Sequence, residues 1–336
     1  MPTSADGHGT LPPLLATSLL AGLTALAGCG ENGAPDTTPT TGAAAALSDG
    51  GAPEDASSAR MADAGVPTDA AKENDAALAC ATNPVELLVG DGPRYFVPVT
   101  ISGEEVALQL DTGSSLSFLF QDADAPPYTA HVADARIGCE DVPLAGRNVR
   151  LASPTVGGRD VIGLLGMDYL LARPTLLDVE GRALVRHAAL PTELVASAHA
   201  HVAFDDVRGH ALVPLTLDGR AVRLMFDTGG GDTLWIGEDG RPGDRESSVV
   251  DAEGNVFSIF TGTGVATFTG VPPRTIPVAR AKTFPYFGET VRILGGNLHG
   301  LLGVSAFPGE RILVADGKFH LIRAPHAEHG FDSRSR

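Results

Sequence analysis

Positive charge is scarce in this sequence: 24 Lys and Arg stand against 41 Asp and Glu, a formal net charge of −17. Clustered cations are what hold a nucleic-acid backbone, so this balance excludes the electrostatic footprint of a polyanion-binding protein. Cysteine is nearly missing as well, with three in 336 residues. No Cys or carboxylate cluster therefore completes a metal-ligand set around the closely spaced His199 and His201, which fall in the expected linker between two halves as a solvated stretch. Long helical periodicity is also missing, and the abundance of Val, Gly and Thr points to a mainly β protein. Gly262-Thr263-Gly264 lacks the strand-to-helix setting and the Lys-Ser/Thr of a phosphate loop. Ser114-Ser115 lacks the surroundings of a nucleophile elbow.

One long apolar run is present, residues 11–28, LPPLLATSLLAGLTALAG, with small residues at its end. That is the pattern of an export signal rather than a full membrane span. Its end, Leu26-Ala27-Gly28-Cys29, resembles the lipobox of bacterial lipoproteins, which implies lipidation at Cys29. No Lys or Arg precedes Arg60, so the usual positive lead of such a signal is absent. The expected location is the periplasm or cell envelope, with a lipid anchor holding the chain to a membrane. Residues 30–79 are low in complexity and nearly free of large apolar side chains, and they read as a flexible tether. The tether is acidic: between Glu31 and Asp75, nine Asp and Glu oppose only Arg60 and Lys72. Residues 326–336 read as a frayed tail. Beyond Cys29, an exported chain retains an even pair, Cys80 and Cys139, which either form a disulfide or stand as two inert thiols.

The globular part contains an internal repeat. Residues 97–113, VPVTISGEEVALQLDTG, and 213–229, VPLTLDGRAVRLMFDTG, share nine identities in seventeen ungapped positions. Each copy reads as a hairpin turning at Ser102-Gly103 or Asp218-Gly219. A second match joins residues 161–186 to 298–323, where each segment holds Gly-Leu-Leu-Gly, a short helix and a hairpin at Glu180-Gly181 or Asp316-Gly317. Two homologous lobes follow, residues 80–195 and 196–325. From Asp227 to Gly300 the second copy is 21 positions longer than the first is from Asp111 to Gly163, and the excess must be an inserted loop or hairpin.

Asp-Thr-Gly occurs once in each copy, each time at the end of an apolar strand. Two related loops can bring two carboxylates together, and at contact distance both cannot ionise. The pair then shares a proton: one member takes a proton from water while the other donates to the carbonyl oxygen under attack. Asp111-Thr112-Gly113-Ser114 and Asp227-Thr228-Gly229, each followed by a Leu-Leu-Gly element (Leu164-Leu165-Gly166, Leu301-Leu302-Gly303), resemble the pepsin and retropepsin group of aspartic proteases. The short lobes are similar to retropepsin repeats fused in one chain. The resemblance covers both lobes and nothing before Cys80.

It implies a bilobal acid-protease fold of closed β-barrel lobes with pseudo-twofold symmetry, Asp111 and Asp227 as the catalytic pair, and no cofactor or metal. Thr112 and Thr228 would brace the two loops, Gly113 and Gly229 would let backbone approach the carboxylates, and Ser114 would hydrogen-bond the outer oxygen of Asp111. Gly230 stands where the second lobe would need the matching hydroxyl. The partner would be a peptide or protein bound extended by a monomer. The mobile flap of the second lobe is expected at residues 256–270 with Gly262-Thr263-Gly264 as its tip. In the first lobe Tyr128 is read as a surface-loop residue and the flap is not legible. Trp235 is either a pocket wall or a core residue. The alternative activity is a non-catalytic peptide-binding lipoprotein that keeps the cleft. An enzyme acting only on itself or on one neighbour also stays open.

Overall fold

The computed structural model describes residues 84–90, 94–121, 128–147, 155–250, 256–284 and 287–324. The signal segment 1–29 with Cys29, the tether 30–79, Cys80 and the tail 326–336 lie outside the described residues.

The protein is mainly β, built from two eight-stranded sheets that curl toward closure and a third sheet of six strands. The first runs Leu88–Val89, Tyr95–Ile101, Glu104–Leu110, Arg159–Leu165, Phe118–Phe120, Glu140–Arg147, Tyr128–Ile137, with Thr155–Val156 attached to Arg159–Leu165. The second runs Asp205–Val207, His210–Leu217, Arg220–Phe226, Gly300–Leu302, Thr233–Ile236, Arg274–Ala281, Val256–Phe268, Arg245–Val250. Seven strands follow each other in the same spatial order in both. Each sheet bends back on itself through an equivalent extra pairing, Tyr95–Ile101 with Tyr128–Ile137 and His210–Leu217 with Val256–Phe268.

The repeated hairpins form where the sequence places them. Ser102-Gly103 and Asp218-Gly219 both hold positive φ at the two turn positions, the geometry that lets a two-residue turn follow strand twist. The Glu180-Gly181 turn is wider: its strands end at Asp178 and restart at Ala183, and the positive φ falls on Arg182.

In the six-stranded sheet the order is Val85–Glu86, Ala183–Arg186, Thr175–Asp178, Glu310–Ala315, Lys318–Arg323, Ala200–Ala203. Its centre is a pairing between the halves, with Leu176 directly opposite Leu313. Those two leucines occupy matching places in the repeat. One buried cluster runs through both halves and beneath this sheet, including Leu110, Leu165, Leu177, Phe226, Leu302 and Phe319. Phe319 packs against Phe226 and Phe204 with tilted rings, at 4.6 and 4.7 Å between centroids. The halves thus share apolar surface as well as strands, so burial itself holds the two Asp-Thr-Gly loops against each other.

Candidate active site

Asp111 and Asp227 directly follow the strands Glu104–Leu110 and Arg220–Phe226. The Leu-Leu-Gly elements lie parallel beside those strands. The Asp111 N–H donates to the Leu165 carbonyl at 2.9 Å and the Asp227 N–H to the Leu302 carbonyl at 3.0 Å. The repeated glycine-leucine segments therefore position the aspartates through backbone hydrogen bonds.

Thr112 and Thr228 lock the two loops reciprocally. The Thr112 N–H donates to Thr228 Oγ1 at 3.1 Å and the Thr228 N–H to Thr112 Oγ1 at 3.0 Å. Each hydroxyl then donates across the junction, Thr112 to the Phe226 carbonyl at 3.0 Å and Thr228 to the Leu110 carbonyl at 2.8 Å. Both threonines are fully buried, where four mutually satisfied groups contribute most and a missing partner costs most. This is the bracing expected of Thr112 and Thr228.

The glycines stand where the carboxylates crowd the backbone. A Cβ on Gly229 would lie 2.6 Å from Cγ of Asp111, and one on Gly113 would lie 3.0 Å from Cγ of Asp227. Each aspartate thus presses on the glycine of the opposite loop, and no larger residue fits at Gly229 without displacement.

Asp111 and Asp227 are almost fully enclosed, at 0% and 2% exposure. Burial, and then the adjacent Asp227 carboxyl, push the Asp111 carboxyl well above the ordinary carboxylate range. Burial also raises Asp227, but the Gly229 N–H opposes it, donating to Asp227 Oδ1 at 2.8 Å. The Asp111 side chain and the Gly230 N–H oppose it further. The Gly113 and Ser114 N–H groups face the Asp111 carboxyl and oppose its rise, and two carboxylates offer each other no donor. One proton shared by the pair supplies that donor. Burial and the neighbouring carboxyl raise Asp111 further than burial raises Asp227, the direction that favours the proton on Asp111 and the charge on Asp227. Such a pair can accept a proton at one oxygen and donate one at another.

Several expectations need correction. The Ser114 hydroxyl does not support Asp111; it donates to the Leu116 carbonyl at 2.7 Å, turning the loop back on itself. Gly230 brings its backbone N–H to bear on Asp227, so the second half has its own support without a hydroxyl.

Gly262-Thr263-Gly264 is not a hairpin tip but the middle of the strand Val256–Phe268, paired with Val278, Pro277 and Ile276. Gly262 is there for close approach: a Cβ would overlap the Asp244 carboxylate. That carboxylate takes Arg280 Nη1 at 2.9 Å, while Arg280 Nη2 reaches the Thr263 carbonyl at 2.8 Å and Asp218 at 3.2 Å. Arg280 is fully buried, so its charge requires these partners.

The hairpin that extends the second sheet is Arg245–Val250 with Val256–Phe268, and residues 251–255 between them lie outside the described set. Nineteen residues separate Ile236 from Val256 and seven separate Phe120 from Tyr128, and Val256–Phe268 is itself three residues longer than Tyr128–Ile137, so fifteen of the 21 extra positions belong to this hairpin. Tyr128 opens the strand Tyr128–Ile137 rather than sitting in a loop.

Trp235 is a core residue, 1% exposed, with the Arg220 and Arg241 guanidinium carbons 5.2 and 5.4 Å from its ring centroid. His199 and His201 are exposed, but they belong to a structured segment rather than a free linker. His199 Nε2 meets Glu310 at 3.0 Å. His201, in the edge strand Ala200–Ala203, meets His320 with 2.8 Å between Nδ1 atoms. Among the described residues, no three His, Cys, Asp or Glu side chains group as a metal site. Cys139 is disulfide-bonded. Cavities of about 480 and 280 Å³ lie in the first half, and neither is lined by Asp111 or Asp227.

Compared with known proteins, the chain matches no protein-family model and none of the curated proteins.

Proposed function

We propose that the chain is a pepsin- or retropepsin-like aspartic endopeptidase, two lobes related by a pseudo-twofold axis, that hydrolyses peptide bonds with a water activated between Asp111 and Asp227. The observation that carries this reading is the reciprocal Thr112–Thr228 bonding that seats two buried carboxylates against each other with raised proton affinity. A water between the carboxyls loses its proton to Asp227 as it attacks, and Asp111 donates its proton to the carbonyl oxygen. The tetrahedral intermediate collapses as the leaving amine takes up a proton. No cofactor enters this chemistry. The substrate is a peptide or protein in extended form. The chain acts as a monomer, exported and held to a membrane by a lipid on Cys29.

The test is cleavage of casein by the full-length chain between pH 3 and pH 7, beside Asp111→Asn and Asp227→Asn. Cleavage that either substitution abolishes supports one shared site. Retention of activity by either variant would falsify it. A second reading, a peptide-binding lipoprotein that keeps the cleft without catalysis, draws on the one-sided hairpin. Among the described residues the first half has no counterpart to Arg245–Val250, and a folded parent that binds peptides but cleaves none selects that reading.

A further inference from the structure

The loop after Asp111 is closed by a polar staple that the second half lacks. The Ser117 N–H and hydroxyl both donate to the Asp168 carboxylate, at 3.0 and 2.6 Å. The Tyr169 N–H donates to the same carboxylate at 2.8 Å. The Ser117 oxygen in turn accepts from the Gly166 N–H at 2.9 Å. Two backbone bonds run beside it, Met167 N–H to the Ser114 carbonyl at 2.8 Å and Asp168 N–H to the Ser115 carbonyl at 3.3 Å.

By the repeat, Ser117 corresponds to Thr233 and Asp168 to Ser305. The second half keeps the backbone bond, Ser305 N–H to the Gly231 carbonyl at 3.1 Å. Its side chains do not join: Thr233 Oγ1 and Ser305 Oγ are both buried without a hydrogen-bond partner. The same framework therefore carries a charge-assisted network on one side and two idle hydroxyls on the other, and the charged acceptor makes the first the stronger hold.

We propose that Asp168 is a positioning residue for the aspartate pair: through Ser117 it fixes the Asp111 loop, leaving the Asp227 loop as the half that adjusts. Asp168 hydrogen-bonds the loop and neither aspartate, so it acts through the backbone that carries Asp111. Loss of the staple lets the loop move and water reach the buried carboxyl, which relaxes the pair's raised titration. Only the turnover arm of the test rests on the protease reading.

The experiment compares the full-length parent with Asp168→Ala and Asp168→Asn, reading the pair's titration by carbon-13 NMR of labelled aspartate carboxyls and turnover on casein. The two resonances are assigned with Asp111→Asn and Asp227→Asn. In Asp168→Ala the higher apparent pKa of the pair moves down toward the ordinary range. Turnover falls roughly tenfold or more while KM stays within about twofold, the result of misplaced reacting groups. Asp168→Asn keeps one oxygen to accept from the Ser117 hydroxyl but loses the one that takes the Ser117 N–H, and falls between parent and Asp168→Ala in both readouts. An unchanged titration in Asp168→Ala overturns the proposal. If the parent cleaves nothing, the protease reading falls and the titration still decides the role of Asp168. If Asp168→Ala does not fold, Ser117→Ala, which deletes only the hydroxyl, takes its place with the same expected shift.

Discussion

The two halves reach the same backbone arrangement around their aspartates by different means, and the difference lies in what presses on each carboxyl. Asp111 is crowded by Gly229, is raised by the Asp227 carboxyl as well as by burial, and lies in a loop stapled by Ser117 and Asp168. Asp227 has more room beside Gly113 and accepts the Gly229 N–H. Repetition of a sequence thus fixes where two groups meet, while unmatched neighbours decide which of them holds the proton.

The sharpest way to break that comparison is to load each glycine with a methyl group. Gly229→Ala drives a Cβ into the Asp111 carboxyl and should lower casein cleavage by about 100-fold or more. Gly113→Ala, with its nearest contact at 3.0 Å, should cost markedly less. Equal losses in steady-state assays of the two variants would show that the crowding is symmetric after all.

The threonines should, by contrast, behave alike. Thr112→Val and Thr228→Val each strand a carbonyl and an N–H in the buried junction, for a loss of about 2–4 kcal/mol in urea unfolding. Values differing by more than about 1 kcal/mol, larger than the usual scatter of such measurements, would show that one loop relaxes where the other cannot.

What could be read in advance follows the same division. The repeat made both Asp-Thr-Gly loops, the bracing threonines and the Leu-Leu-Gly elements legible, because each depends on short-range patterns repeated at matching places. The Ser117–Asp168 staple was not legible, since its members lie 51 positions apart and their counterparts, Thr233 and Ser305, are different residues. Gly262-Thr263-Gly264 misled for a related reason: glycine serves a turn tip and a close approach equally well. Only the buried Arg280, 18 positions onward, decides between them. His199 and His201 misled because an edge strand of four residues, entered just after His199 and carrying His201, has too little apolar pattern to stand out from a linker.

A smaller effect separates the halves at their first long strands. His210 of the second half corresponds to Arg94 of the first. Burial lowers His210 from 6.5 to about 4, against a weaker opposing pull from Asp206. A lowered histidine binds its proton more weakly folded than unfolded, so stability present at neutral pH is lost as pH falls from about 6.5 to about 4. The full loss is about 3 kcal/mol at some 1.4 kcal/mol per unit. His210→Leu should flatten that acid limb in urea unfolding followed from pH 7 to pH 4. A parallel pair of curves for parent and variant would place the acid sensitivity elsewhere.

The last contrast is between the aspartates themselves. A carboxyl whose folded pKa is raised stabilises the chain below its unfolded value and loses that contribution as pH rises through the folded value. Asp111, raised by burial and by Asp227, should therefore weaken the fold increasingly above pH 4. Asp111→Asn removes that titration and the repulsion with it, so the variant should melt above the parent, by a margin that grows toward pH 7. Asp227→Asn should gain less, because three N–H groups, of Gly229, Gly230 and Gly113, favour its charged oxygens against two, of Gly113 and Ser114, at Asp111. Thermal melts of the three chains at pH 4 and pH 7 read both differences. A larger gain from Asp227→Asn would reverse the assignment and put the shared proton on the second half of the site.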